Sequence, residues 1–236
     1  MIALPVEFVS RANRPLNLHD FSSNSKPILI NVPVRKPIKD RQYILRMMVQ
    51  SADLPLSIPS ELEWIGPTVL TLKEIQNRNG LNNPFIYITV RHGLVTSTTD
   101  DLWHVDGFST RVPHVPEQNY IYSDCYPTEW LTNSWSIPET FDPFRHNIHS
   151  FFQEREHLGK FSTGNPEEIY LADPYCVHRR PKIPPGTTRT MWRISFIPIE
   201  IEDNTCTQNP LFPKKIYDRE DIRTKLTEWK PEDEVQ

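Results

Sequence analysis

Much of what a sequence can contain is missing from this one. No run of basic residues stands out, and the formal charge of the 236 residues is −4. Neither a nucleic-acid partner nor an anionic membrane surface is therefore expected. No apolar stretch approaches the length needed to cross a bilayer. Cysteine is limited to Cys125, Cys176 and Cys206, odd in number and far apart. That pattern suits free thiols in a reducing compartment better than a disulfide framework. The first residues show no charged segment leading into an apolar one, so no signal peptide is expected and the expected location is the cytoplasm. Internal repeats and convincing linkers are also lacking, which makes a single domain over 1–236 the economical expectation.

Glycine is scarce, at 7 residues, while proline reaches 23. The prolines lie among apolar and β-branched segments rather than in low-complexity tracts, where they break helices and mark strand ends and turns. The chain accordingly reads as β-rich, with long rigid loops. Residues 1–83 form a scaffold: strand composition at Pro27–Val34, a strand or short helix at Gln42–Val49, and a short helix from Thr71, its N-cap, to Asn79-Gly80.

From residue 84 the pattern sharpens. Strands are expected at Phe85–Arg91, Gln118–Ser123, Glu168–Ala172 and Thr188–Ile197. A helical insert at 144–157 follows Asp142-Pro143, and residues 199–236 form an extension with a surface helix at 216–229 and a frayed end. Strands in this order favour a mainly β jelly-roll or cupin-like sandwich with a few flanking helices.

Chemistry concentrates in Leu102-Trp103-His104-Val105-Asp106-Gly107. Placed on a strand, His104 and Asp106 point to one face. A third ligand from a facing strand would complete the 2-His-1-carboxylate arrangement of non-haem Fe(II) oxygenases. His178, in Pro174-Tyr175-Cys176-Val177-His178, is the candidate. A Pro-Gly turn then leads to a strand on which Arg189, Arg193 and Ser195 share a face. An arginine fork there could hold a carboxylate by paired, charge-assisted bonds.

His104-x-Asp106, then His178, then a strand with arginine about a dozen residues on, resembles the Fe(II)/2-oxoglutarate-dependent oxygenase superfamily over about residues 84–198. The resemblance implies a distorted double-stranded β-helix that uses Fe(II), O2 and 2-oxoglutarate, with release of succinate and CO2. His104, Asp106 and His178 would be the metal ligands. Arg189 stands where some members anchor the cosubstrate; Arg193 and Ser195 resemble the R-x-S pair that others use, and both assignments stay open. The substrate would be a small molecule, an acid such as an amino acid, and hydroxylation, desaturation or cyclisation are all branches of the family. With Asp106 present, halogenation is not expected.

Other residues carry plainer expectations. His146 and His149, at helical i, i+3 spacing, read as a solvated helix face; Cys176 as a packed thiol; Trp103 and Trp192 as core aromatics; Tyr120 or Tyr122 as candidates for the pocket wall; His114 and Arg111 as loop residues. Two rival readings are a cupin-like metalloenzyme that does not use 2-oxoglutarate, and a non-catalytic jelly-roll binding protein.

Overall fold

Alternation along one strand decides the architecture. In Thr188–Ile197, Trp192, Ile194 and Phe196 enter the main hydrophobic core, leaving Arg189, Met191, Arg193 and Ser195 to the opposite face. The computed structural model describes residues 2–37, 41–96, 102–108, 116–217 and 227–228. In chain order its strands are β1 (Ile28–Ile30), β2 (Gln42–Gln50), β3 (Phe85–Leu94), β4 (Gln118–Ser123), β5 (Glu129–Thr132) and β6 (His146–Asn147). They continue with β7 (Lys160–Thr163), β8 (Ile169–Ala172), β9 (His178–Arg179), β10 (Thr188–Ile197) and β11 (Thr227–Glu228).

Six strands form an antiparallel sheet in the order β1-β8-β4-β10-β3-β2, and three form a smaller sheet, β7-β5-β9. His104 extends the smaller sheet by an isolated bridge to His178. Followed along the chain, β3 lies in the large sheet, His104 in the small, β4 in the large, β5 and β7 in the small, β8 in the large, β9 in the small and β10 in the large. This shuttling between two antiparallel sheets is the winding of a jelly roll, and it puts residues distant in sequence on facing walls.

One face of the large sheet is closed by α1 (Val6–Ala12), by α2 (Gly66–Arg78) and by the 3-10 turn Ser60–Ile65. Phe8, Leu62, Trp64, Val69 and Leu72 pack there against Ile86, Ile88, Val90, Trp192 and Ile194. Each such side chain, fully buried, contributes about 1.5–3 kcal/mol relative to exposure. The other face looks toward the small sheet, with Ile121, Trp130, Ala172 and Cys176 between them. Behind the small sheet, α3 (Ile148–Glu154) supplies Ile148, Phe151 and Phe152 to a second cluster with Trp103, Val105 and Val177.

Several local expectations change. The second helix begins at Gly66, with Pro67 in its first turn, so Thr71 lies inside it and donates its hydroxyl to the Pro67 carbonyl rather than capping. It does stop at Asn79-Gly80, where Gly80 takes a φ of 73° that suits a residue without Cβ. The helical insert starts only at Ile148, because Asn147 accepts from the His149 N–H and is the cap; Asp142 instead accepts from Phe144 in a turn. Thr227–Glu228, expected within a helix, pairs in parallel with His146–Asn147, which gives its backbone groups partners outside its own segment. The frayed end, 230–236, and most of that expected helix lie outside the described residues. Among the described residues no helix is long and apolar enough to cross a membrane.

Candidate metal centre

His104, Asp106 and His178 converge. One potential ligand atom from each lies within 4.8 Å of the others, and His178 Nε2 stands 3.5 Å from Asp106 Oδ2. Convergence follows from the sheet pairing: His104 and His178 exchange backbone N–H···O bonds of 2.8 and 2.9 Å, and their ring centroids are 4.3 Å apart. His178 pairs in turn with Trp130 of β5, whose ring centroid lies 5.5 Å from the imidazole. The His104 segment is a single bridge followed by a bend, not the full strand expected. Gly107, at φ 90°, permits that bend directly after Asp106.

Burial sets the charge states. It lowers the His104 imidazole to about 4, with His178 adding to the effect and Asp106 opposing it. Burial likewise lowers His178, against the pull of Asp106. Both rings are thus neutral near pH 7, the form that offers a lone pair to a metal. Burial alone would raise the Asp106 carboxyl, but Arg193, then His178, His104 and Arg46, hold it well below the usual carboxylate range. Two neutral imidazoles and one carboxylate are the donor set that suits Fe(II) and similar divalent ions, so these residues fit the metal that the sequence pattern implies.

Arg193 and Ser195 do not form a detached fork. Arg193 Nη1 lies 3.2 and 3.1 Å from the two Asp106 oxygens. Ser195 donates to the Asn119 side-chain carbonyl, and Asn119 Nδ2 donates to Asp106 Oδ2 at 2.9 Å. Both residues therefore act on the Asp106 carboxylate, one directly and one through Asn119. Arg189 lies four residues back along the same face, buried to 6% exposure. Its Nε reaches the Ser123 hydroxyl at 2.9 Å and the Cys125 carbonyl at 3.1 Å, and Nη2 reaches the Tyr126 carbonyl at 2.9 Å. Among the described residues no carboxylate forms an ion pair with it. Burial, with Arg180 nearby, lowers it to about 10.

Several bystanders lie elsewhere. Cys176 is buried against Ser25 and Asp173, a packed thiol as expected. Tyr120 and Tyr122 do not line the site: they belong to the opposite face of β4, where Tyr120 accepts from Gln76 and Tyr122 stacks on Trp192 at 5.0 Å. Trp192 is a core residue, and Trp103 donates to Glu156 beneath the guanidinium of Arg179. Arg111 and His114 lie outside the described residues.

His149 corrects the solvated-face expectation. It stands on α3 with its ring centroid 5.9 Å from that of His104 and donates Nε2–H to the Val105 carbonyl at 3.2 Å. Its partner in spacing, His146, precedes the helix and accepts from the Asp142 N–H. Asn119 and Arg46 were also unassigned by the sequence. Only the period-2 alternation of β4 could have flagged Asn119, because it shares the face of Ile121 and Ser123.

No protein-family model and no curated protein matches the sequence. Among solved structures, the chain is similar to the crystal structure of EvdMO1, with 14% identity and a TM-score of 0.37. That match covers 82% of this chain but only 42% of EvdMO1. It is also similar to AviO1 from Streptomyces viridochromogenes Tue57, with 13% identity, a TM-score of 0.36, and 88% and 90% of the two chains covered.

Proposed function

We propose that this chain is a non-haem Fe(II) oxygenase that consumes 2-oxoglutarate and O2 to oxidise a small acidic molecule. The observation that carries the proposal is the meeting of His104, Asp106 and His178 on a wall that also bears Arg189, a buried cation with no carboxylate partner among the described residues.

His104 and His178 would bind the metal through Nε2, since their Nδ1 atoms are engaged with backbone carbonyls, and Asp106 through a carboxylate oxygen. With O2 and 2-oxoglutarate bound, Fe(II) would supply the oxidising chemistry, the diacid being converted to succinate and CO2 as the substrate is oxidised. Arg193 and Asn119 keep Asp106 ionised and aimed, as the outer partners of a ligand do. Arg189 offers the far carboxylate of 2-oxoglutarate a charge-assisted partner inside the molecule. Residues of the interior, Trp130 and Ile121, limit water at the inner side of the centre.

One observation favours a second reading. The Arg189 donors also brace the backbone carbonyls of Cys125 and Tyr126, and a purely bracing arginine would leave a cupin-like metal enzyme without 2-oxoglutarate. Anaerobic titration with Fe(II) and then 2-oxoglutarate separates the two. A visible charge-transfer band on adding the diacid supports the first reading. Tight Fe(II) binding without such a band supports the second. Unaltered Fe(II) binding in His178→Ala would overturn both.

A further inference from the structure

β2 is not regular. Between the pairs Ile44↔Val90 and Met47↔Ile88, two residues, Leu45 and Arg46, oppose the single Thr89. Arg46 adopts a φ of 43°, and its N–H donates to Thr89 Oγ1 at 3.1 Å. Unbroken alternation would put Arg46 on the face of Ile44, inside the apolar layer beneath the helices. The bulge turns it to the side of Thr89, which is in register with Arg193 on β10. Left-handed backbone costs a residue with a Cβ on the order of 1 kcal/mol, and bulges near functional sites are a known means of re-aiming a side chain.

A second residue on this face is equally unusual. Glu117, immediately before β4, has the parity of Asn119 and so shares its side of the sheet. It is buried to 6% exposure, and its Oε2 has no hydrogen-bond partner among the described residues. Among the described residues neither Glu117 nor Arg46 makes an ion pair, although each lies within the other's field and Arg46 also within that of Asp106. A buried carboxylate oxygen without a partner is costly. Two opposite charges within each other's field but without an ion pair would both be satisfied by a ligand bearing the complementary pair.

We infer that Arg46 and Glu117 form a second binding subsite beside the metal centre, which takes the carboxylate and the ammonium group of an α-amino acid. The carboxylate meets the Arg46 guanidinium and the ammonium group meets Glu117. A simple carboxylic acid would satisfy Arg46 and leave Glu117 unpartnered; an amine would do the reverse. This names the substrate class of the proposed oxygenase and rests on that reading for its reaction, though binding itself is measurable without turnover.

The test is calorimetric titration of the full chain with the L-α-amino acids, each compared with its methyl ester and its N-acetyl derivative. At least one free amino acid is expected to bind, with both derivatives at least about tenfold weaker. Arg46→Met should erase the preference over the ester, and Glu117→Gln the preference over the N-acetyl form. Co(II) binding at the metal centre should persist in both variants. Absence of binding by every amino acid, derivatives that bind as well as the parent, or variants that keep the parent's preferences would each overturn the inference. Loss of Co(II) binding in the unaltered chain would instead sink the metal reading and leave the subsite standing.

Discussion

His104 and His178 make the same side-chain hydrogen bond. Each donates Nδ1–H to the carbonyl two residues earlier in its own segment, Leu102 at 2.9 Å and Cys176 at 2.8 Å. Because the two segments also pair through their backbones, the centre is built from one local motif used twice, face to face. That bond fixes the tautomer and leaves each Nε2 as the acceptor. His178→Ala and Asp106→Ala are accordingly expected to weaken Co(II) binding by roughly 100-fold or more, read by calorimetry or by the visible spectrum. His149→Ala, which removes no ligand, should cost about tenfold or less.

Arg193 is the main positive partner of Asp106 in this structure. Arg193→Met leaves a buried carboxylate whose compensation must come from the histidines or a bound cation. Removing one member of such a pair costs on the order of 3–5 kcal/mol. Thermal unfolding with and without Co(II) checks this: the metal should raise the Tm of the variant more than that of the parent. Equal shifts would show that Arg193 does not matter to the carboxylate.

Stability of the metal-free protein should fall as the pH is lowered from 7 to 5. Burial, with His104 nearby, lowers His149 from 6.5 to about 4, and His104 is displaced in the same direction. Below 6.5 the unfolded chain takes up protons that the folded chain refuses until about 4, so the contribution is complete above 6.5 and lost through that window. Asp106, depressed in the fold, acts only at lower pH. In urea titrations His149→Phe should reduce the loss between pH 7 and 5 by on the order of 1 kcal/mol. An unchanged loss would place the acid sensitivity elsewhere.

Arg189→Met should weaken 2-oxoglutarate binding at least about tenfold while Fe(II) binding is retained. Arg189→Lys keeps the charge but not the planar fork, and an intermediate affinity is expected. Affinity unchanged in both variants would leave Arg189 as a brace for the loop after β4.

The convergence of His104, Asp106 and His178 is more legible in the sequence than what surrounds them. Strands β3, β4, β8 and β10 are legible because their apolar residues alternate over a buried face, and His104, Asp106 and His178 because H-x-D precedes a second histidine in such a frame. Arg46 was hidden, since no local signal marks a bulge that opposes two residues to Thr89. His149 was misjudged because i, i+3 spacing presumes one helix, whereas His146 sits ahead of the Asn147 cap. Tyr120 and Tyr122 stand on the parity of β4 that faces the main core, whereas the other face holds Asn119.

The division of labour along β10 has one last implication. A slide of this strand by a single position would drive Arg193 and Ser195 into the oily layer beneath the helices and present Trp192 and Ile194 to Asp106 and the two histidines. Correct threading and correct aim are thus one event. A molecule that seats its indole at position 192 has already delivered a guanidinium to Asp106, with no separate proofreading of the polar wall.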